Sequence, residues 1–116
     1  MSGNVIVEKS KLFAIKIIRI YQFLVFEKKE YVLSKQLLRS GTSIGANIHE
    51  SIYGQTRPDF HTKLTIALKE ASETSYWLEL LHETNYLNKI QFDETDNLCR
   101  EIIKILTAIT KQTKRK

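Results

Sequence analysis

Apolar residues recur with helical spacing through almost the whole of this 116-residue chain. Four segments carry the pattern, and none of them alternates between apolar and polar residues for long, as a half-buried strand would. The chain has one proline and no low-complexity linker, so the connections between segments are short. These features predict an all-α fold, an antiparallel up-down-up-down four-helix bundle. We expect one domain over residues 1–116, with helices at 8–28, 32–54, 57–86 and 93–113.

The first predicted helix is apolar on nearly all sides. In the stretch LFAIKIIRIYQFLVF, twelve of the fifteen residues are apolar, and only a thin polar strip remains around Lys16, Arg19 and Gln22. A helix at the rim of a monomeric bundle needs an apolar stripe only about 100° wide or slightly more. The remaining apolar surface must be covered by the bundle or by another subunit. The sequence leaves both explanations open at this point.

The stretch SGTSIGANIHES resembles a glycine-rich phosphate loop, but it fits a helix better. At about 100° per residue, Gly41, Ile44, Gly45 and Ile48 fall on one face of a helix. A phosphate loop requires a preceding strand and a Lys-Ser or Lys-Thr pair after the second glycine, and this stretch has neither. We predict that both glycines face the core and let a neighbouring backbone approach closely.

The opposite face of this second helix is polar, and a solvated surface is the simplest explanation for it. Its side chains, however, are mostly short or forked hydrogen-bonding groups, whereas a solvated helix surface usually carries Lys and Glu. The third helix carries two carboxylates and a tryptophan on one flank, and Trp and Arg are enriched at interfaces. We hypothesise that Arg39 meets Glu70 or Glu73, between helices or between subunits. The predicted interface or polar-groove residues are Arg39, Ser43, Asn47, Glu50, Glu70, Glu73 and Trp77.

The basic character of the chain is concentrated at its carboxyl end. The whole sequence has 18 basic and 13 acidic residues, a net charge of +5, and the last six residues, KQTKRK, hold four of the basic ones. Without this tail, 111–116, the balance is 14 to 13, or +1. The tail is either a solvated helix end whose cations complement the helix dipole or a handle for nucleic acid. The candidate nucleic-acid-binding residues are Arg100, Lys104, Lys111, Lys114, Arg115 and Lys116.

Catalytic and metal-binding motifs are sparse in the sequence. Glu79 and His82 form one Glu-x-x-His motif, but a di-iron bundle needs two, so His82 is better explained as a polar core residue. Cys99 falls among apolar helix positions, which predicts a buried structural thiol in a reducing compartment. We predict a cytoplasmic protein that is not an enzyme, with no cofactor, metal, membrane span or small-molecule substrate. An enzyme or metal protein that uses His82 or the polar edge stays the least favoured hypothesis.

The stretch QLLRSGTSIGANIHES, followed by DFHTKLTIALKEASETSYWLELL, closely resembles the bacterial four-helix-bundle proteins called 23S rRNA intervening-sequence proteins. The pattern Arg-Ser-x-x-Ser-Ile-x-x-Asn-Ile-x-Glu carries the resemblance, which extends from EKSKLFAIKIIRIY to the end of the fourth helix. It implies an antiparallel four-helix bundle that assembles into a homo-oligomer, with a ring of five as the arrangement associated with the family. Relatives include accessory proteins of diversity-generating retroelements, whose basic pentameric barrel is thought to bind nucleic acid.

Two functional hypotheses follow from the sequence and the resemblance. The leading one is a non-enzymatic homo-oligomeric bundle that binds RNA or DNA through a basic surface. The alternative is a structural or adaptor protein that binds another protein through the polar edge of the second helix.

Overall fold

The chain folds into four long helices in the computed structural model, which describes residues 2–54 and 56–114, with side chains from Val5 onward. No strand occurs in these ranges. The all-α four-helix bundle predicted from the sequence is confirmed. The helices are α1 (Ser2–Phe26), α2 (Leu33–Ile52), α3 (Arg57–Glu83) and α4 (Lys89–Lys114).

Each helix packs against its two neighbours and against no helix across the diagonal, so the described helices form a square bundle. The start of α1 and the end of α2 therefore lie at the same end of the bundle as the start of α3 and the end of α4. The core between them is aliphatic and aromatic. All four helices contribute fully buried side chains to it, among them Phe13, Ile44, Leu78 and Leu106.

Local capping chemistry determines where the helices begin and end. The hydroxyl of Thr56 accepts a hydrogen bond from the backbone N–H of Asp59 at 3.2 Å, which caps α3. The prediction that α4 begins near residue 93 is wrong, because Asn88 and Gln91 form a reciprocal capping box and the helix starts at Lys89. The predicted start of α1 at residue 8 is also wrong, because the helix begins at Ser2, and the ends predicted at 28 and 86 are too late. Lys29 and Asn85 adopt left-handed φ values of 57° and 71°, which helices do not continue through.

The amino end of α2 is capped by Glu30, a residue that the sequence did not single out. Its carboxylate accepts backbone N–H bonds from Val32, Leu33 and Ser34, at 3.2, 2.9 and 2.7 Å. These amide groups have no partner inside the helix, and a negative charge is favourable at this end of the helix dipole. The buried position of Glu30 is therefore explained by its role in starting α2.

The outward surface of α1 stays apolar and exposed in the single chain. Leu12, Ile15 and Ile18 are 60%, 38% and 41% exposed, whereas Phe13 and Ile17 between them are fully buried. The bundle therefore covers only one side of this helix. Leu12, Ile15 and Ile18, which the single bundle leaves exposed, are called the outer α1 face below.

Candidate nucleic-acid interface and polar edge

The polar edge of α2 meets α3 within the same chain. Arg39 donates from Nη1 to Glu70 Oε1 at 3.2 Å and from Nη2 to the carboxylate of Glu73. The indole Nε1 of Trp77 donates to the same Glu73 carboxylate at 3.0 Å. The contact predicted for Arg39 is thus confirmed with both carboxylates, and here it joins two helices of one bundle.

The remaining residues of the polar edge also find partners in this chain. The Ser43 hydroxyl donates to the Arg39 carbonyl at 2.7 Å, and the Asn47 amide donates to the Ser43 carbonyl at 2.8 Å. Glu50 forms an ion pair with Lys63 of α3 at 2.8 Å, and the hydrogen bond and charge of Lys63 lower the pKa of Glu50. The edge therefore ties α2 to α3, and its use as an interface with another molecule stays a prediction.

Arg100 differs from the other basic candidates because carboxylates surround it. Its Nε donates to Asp96 at 2.7 Å, and its Nη2 lies 3.8 Å from Glu79. The Asp96 side chain is only 4% exposed and also accepts a hydrogen bond from Ser75 at 2.8 Å. Removal of Arg100 would leave a buried carboxylate without its cation. Arg100 therefore pairs with carboxylates of its own chain, unlike the other basic candidates, and its side chain stays 63% exposed.

The other described basic candidates lie along one stripe of α4 that faces solvent. Lys104, Lys111 and Lys114 recur at helical spacing and are exposed. None of them takes part in the ion pairs found among the described residues. Arg115 and Lys116 lie outside the described residues. The stripe is therefore a row of cations with free charge that ends in the basic tail.

The antiparallel topology brings the start of α3 to the last turn of α4, and this adds two basic side chains that the sequence analysis missed. Arg57, His61 and Lys114 line one shallow pocket of about 240 Å³. The Nδ1 atom of His61 lies 2.6 Å from Thr113 Oγ1, which links α3 to α4 at this point. The surface formed by Arg57, His61, Lys111 and Lys114 is called the basic end below. In the sequence, the basic end is indicated only by Arg57, which begins a helix that must run antiparallel to α4.

His82, the histidine of the Glu-x-x-His motif, makes contacts that stabilise the bundle. His82 Nδ1 lies 3.1 Å from the Leu87 carbonyl, and its ring stacks on Phe92 with centroids 4.6 Å apart. The prediction that His82 has a partner is confirmed, but the side chain is half-buried at the margin of the core and does not belong to the fully buried core. Among the residues that the structure describes, no group of three or more His, Cys, Asp or Glu side chains is placed to hold a metal ion.

We expect the Cys99 thiol to react with a thiol reagent such as DTNB only when the protein unfolds. The side chain is fully buried, its Sγ lies 3.3 Å from the Ala71 carbonyl, and burial raises the pKa of the thiol to about 12. The reactive thiolate is therefore scarce at neutral pH. The rate of labelling, followed by absorbance across a urea series, should increase in step with the unfolded fraction. Complete labelling of the folded protein within minutes would contradict this assignment.

None of the described helices combines the length and apolar character needed to cross a membrane. The family model described as 23S rRNA-intervening sequence protein matches residues 3–108. No curated protein matches the sequence.

A solved structure supports the same assignment. It is the crystal structure of a protein of unknown function from the S23 ribosomal protein family of Bacteroides thetaiotaomicron, and it is 55% identical to this chain. The match covers 96% of this chain and 99% of the other, with a TM-score of 0.94. The fold and the family assignment therefore agree, and the chain belongs to the 23S rRNA-intervening sequence protein family.

Proposed function

We propose that this protein acts by binding, that it assembles into a homo-oligomer, and that it binds RNA or DNA through phosphate contacts at its basic end. The observation that carries the proposal is the stripe of exposed cations, Lys104, Lys111 and Lys114, which reaches Arg57 and His61 at the end of the bundle. The family is described by reference to 23S rRNA, which makes structured RNA the first probe to use. Such a protein would work in the cytoplasm, where this partner is present.

The chemistry of the basic end favours phosphate over a specific base sequence. Lysine ammonium groups act as point charges toward phosphate and carry no base readout of their own. The positive end of the α3 dipole lies at the same surface, because α3 begins at Arg57. We therefore expect binding that depends strongly on salt and little on sequence.

Self-association would increase the affinity of the protein for nucleic acid. Several copies in one assembly present several basic ends to one nucleic acid, and linked sites gain avidity without new contacts. The outer α1 face offers the apolar surface on which copies of the chain could meet. The resemblance to the family implies a ring of five.

The adaptor hypothesis, in which the polar edge of α2 binds another protein, is less favoured. Arg39 and Glu50 already have oppositely charged partners on α3, so a protein partner would have to replace these contacts. The lysines of the α4 stripe have no such partners among the described residues.

We expect the triple variant K104Q/K111Q/K114Q to lose affinity for structured RNA and to lose salt dependence. Each phosphate contact contributes roughly 0.7–0.9 to the slope of log K against log salt, so three lost contacts should reduce the slope by about 2–3. Fluorescence anisotropy with a labelled RNA hairpin, across a salt series from low to physiological concentration, gives both quantities. Deletion of residues 111–116 should have an effect in the same direction.

The matched control is K11Q/K35Q/K69Q, which removes the same net charge from exposed positions outside the basic end. This control should keep the slope of the unmodified protein. The proposal fails if the unmodified protein does not bind RNA at low salt. It also fails if both triple variants lose affinity equally, because net charge alone would then explain the binding.

A further inference from the structure

The end of the bundle that carries the basic end also holds an open cleft of about 540 Å³. Side chains from all four helices line it. Its inner part is formed by Ile6, Ile48 and Leu64, each at most 3% exposed, so the cleft ends against the packed core. Ligand sites in helical bundles commonly lie between the helices, and small-molecule pockets occupy roughly 300–1,000 Å³. The cleft is therefore of a size and in a place suited to a small ligand.

The walls of the cleft are apolar along most of their depth. Val7, Phe60 and Ile109 are partly buried against the core and stand between the inner part and the mouth. The hydroxyl of Ser51 is already used, because it donates to the Ile48 carbonyl at 2.6 Å. An apolar lining of this kind favours an apolar occupant.

The mouth of the cleft is partly polar and carries one positive charge. Arg57, Gln112 and Thr113 line it together with the exposed Ile52, and no carboxylate is found among its described lining residues. Arg57 is also the first residue of α3, so the positive end of that helix lies at the same mouth. None of the ion pairs among the described residues uses the Arg57 guanidinium. An occupant with a negative charge at one end would complement this mouth.

We propose that this cleft binds a linear aliphatic carboxylate, with its alkyl chain between the four helices and its carboxylate at Arg57. An arginine guanidinium can hold a carboxylate through two parallel hydrogen bonds. The alkyl chain gains free energy as its apolar surface leaves water. This inference does not rest on the nucleic-acid proposal. The sequence gives no sign of such a ligand, because the lining residues have the pattern of ordinary core positions.

The test is the binding of decanoate to the delipidated full-length protein, measured by isothermal titration calorimetry. Decanol is the neutral comparison, because it has the same alkyl chain and no charge. We expect the variant Arg57→Gln to weaken decanoate binding about tenfold and to leave decanol binding unchanged. The variant Val7→Phe adds bulk inside the cleft, so it should weaken the binding of both compounds.

Arg19→Gln serves as the matched control, because Arg19 is an exposed arginine on α1 that does not line the cleft. It should bind both compounds as the unmodified protein does. Absence of saturable decanoate binding would overturn the proposal. Equal effects of Arg57→Gln and Arg19→Gln would overturn the assignment of a carboxylate. Decanoate binding that Val7→Phe leaves unchanged would place the ligand elsewhere, for instance on the outer α1 face, and would also overturn it.

Discussion

Replacement of Gly41 by alanine is expected to destabilise the bundle, whereas the same replacement at Gly45 is expected to preserve or raise its stability. A Cβ atom at position 41 would lie 2.8 Å from both Cγ1 and Cγ2 of Ile17, which is shorter than any ordinary carbon contact. Ile17 is fully buried, and its β-branched side chain has essentially one rotamer in a helix. It therefore cannot move aside without disturbing the core.

A comparison of the two glycine positions separates the cost of overpacking from the gain in helix propensity. Overpacking of a core costs roughly 1–3 kcal/mol, and alanine gains about 1 kcal/mol over glycine inside a helix. Because two carbons of Ile17 overlap at once, we expect Gly41→Ala to lower the free energy of unfolding by about 1–2 kcal/mol. At Gly45 the nearest atom to an added Cβ is the Ser10 carbonyl oxygen at 3.4 Å, so the propensity gain of up to about 1 kcal/mol should remain.

Urea unfolding followed by circular dichroism, at one protein concentration, measures both changes. The double variant I17A/G41A should be more stable than the sum of its single changes predicts, because Ile17→Ala removes the two carbons that the new Cβ would strike. If Gly41→Ala were as stable as Gly45→Ala, the close packing of α2 on α1 at this point would be disproved.

The sequence was sufficient for the parts of the fold that depend on periodicity. Helical spacing gave the number of helices and the buried face of α2, and it placed Gly41 against a neighbouring helix. The residues at which the helices begin and end depend on capping contacts and on the backbone conformation of single residues. The Asn88–Gln91 capping box is visible in the sequence once it is sought, whereas a left-handed Lys29 is not, because lysine has no preference for that conformation.

The candidate site could be predicted only in part, for a related reason. The pairing of Arg39 with carboxylates on α3 follows from two helix faces that each have an unusual composition. The basic end instead combines Arg57 with Lys114, which are far apart in the sequence and ordinary in their own helices. Their proximity follows from the antiparallel order of α3 and α4. The neutralisation of Arg100 by Asp96 likewise requires knowledge of which carboxylate is buried beside it.

The double variant I15E/I18E on the outer α1 face is expected to dissociate the proposed homo-oligomer into monomers. Ile15 and Ile18 are 38% and 41% exposed in the single chain, on the side of α1 that faces away from the core. About 60% of each isoleucine is already buried in the single chain, so an interface that covers the rest gains only roughly 1 kcal/mol per side chain, and an unpaired carboxylate placed there adds a desolvation cost of about a few kcal/mol. Two substitutions should therefore weaken each subunit contact by at least about a hundredfold. Light scattering coupled to size-exclusion chromatography measures the mass directly.

Ile66→Glu on α3 is the control for this experiment, because Ile66 has nearly the same exposure, 37%, and lies on a helix that does not contact α1. It should retain the mass of the unmodified protein, and both variants should keep their helical circular dichroism. A mass of 13.5 kDa for the unmodified protein would contradict the assembly itself. Dissociation by Ile66→Glu to the same extent would show that the outer α1 face is not the specific contact. Retained assembly in I15E/I18E would lead to the same conclusion, because two buried carboxylates cannot remain in an apolar interface without a partner.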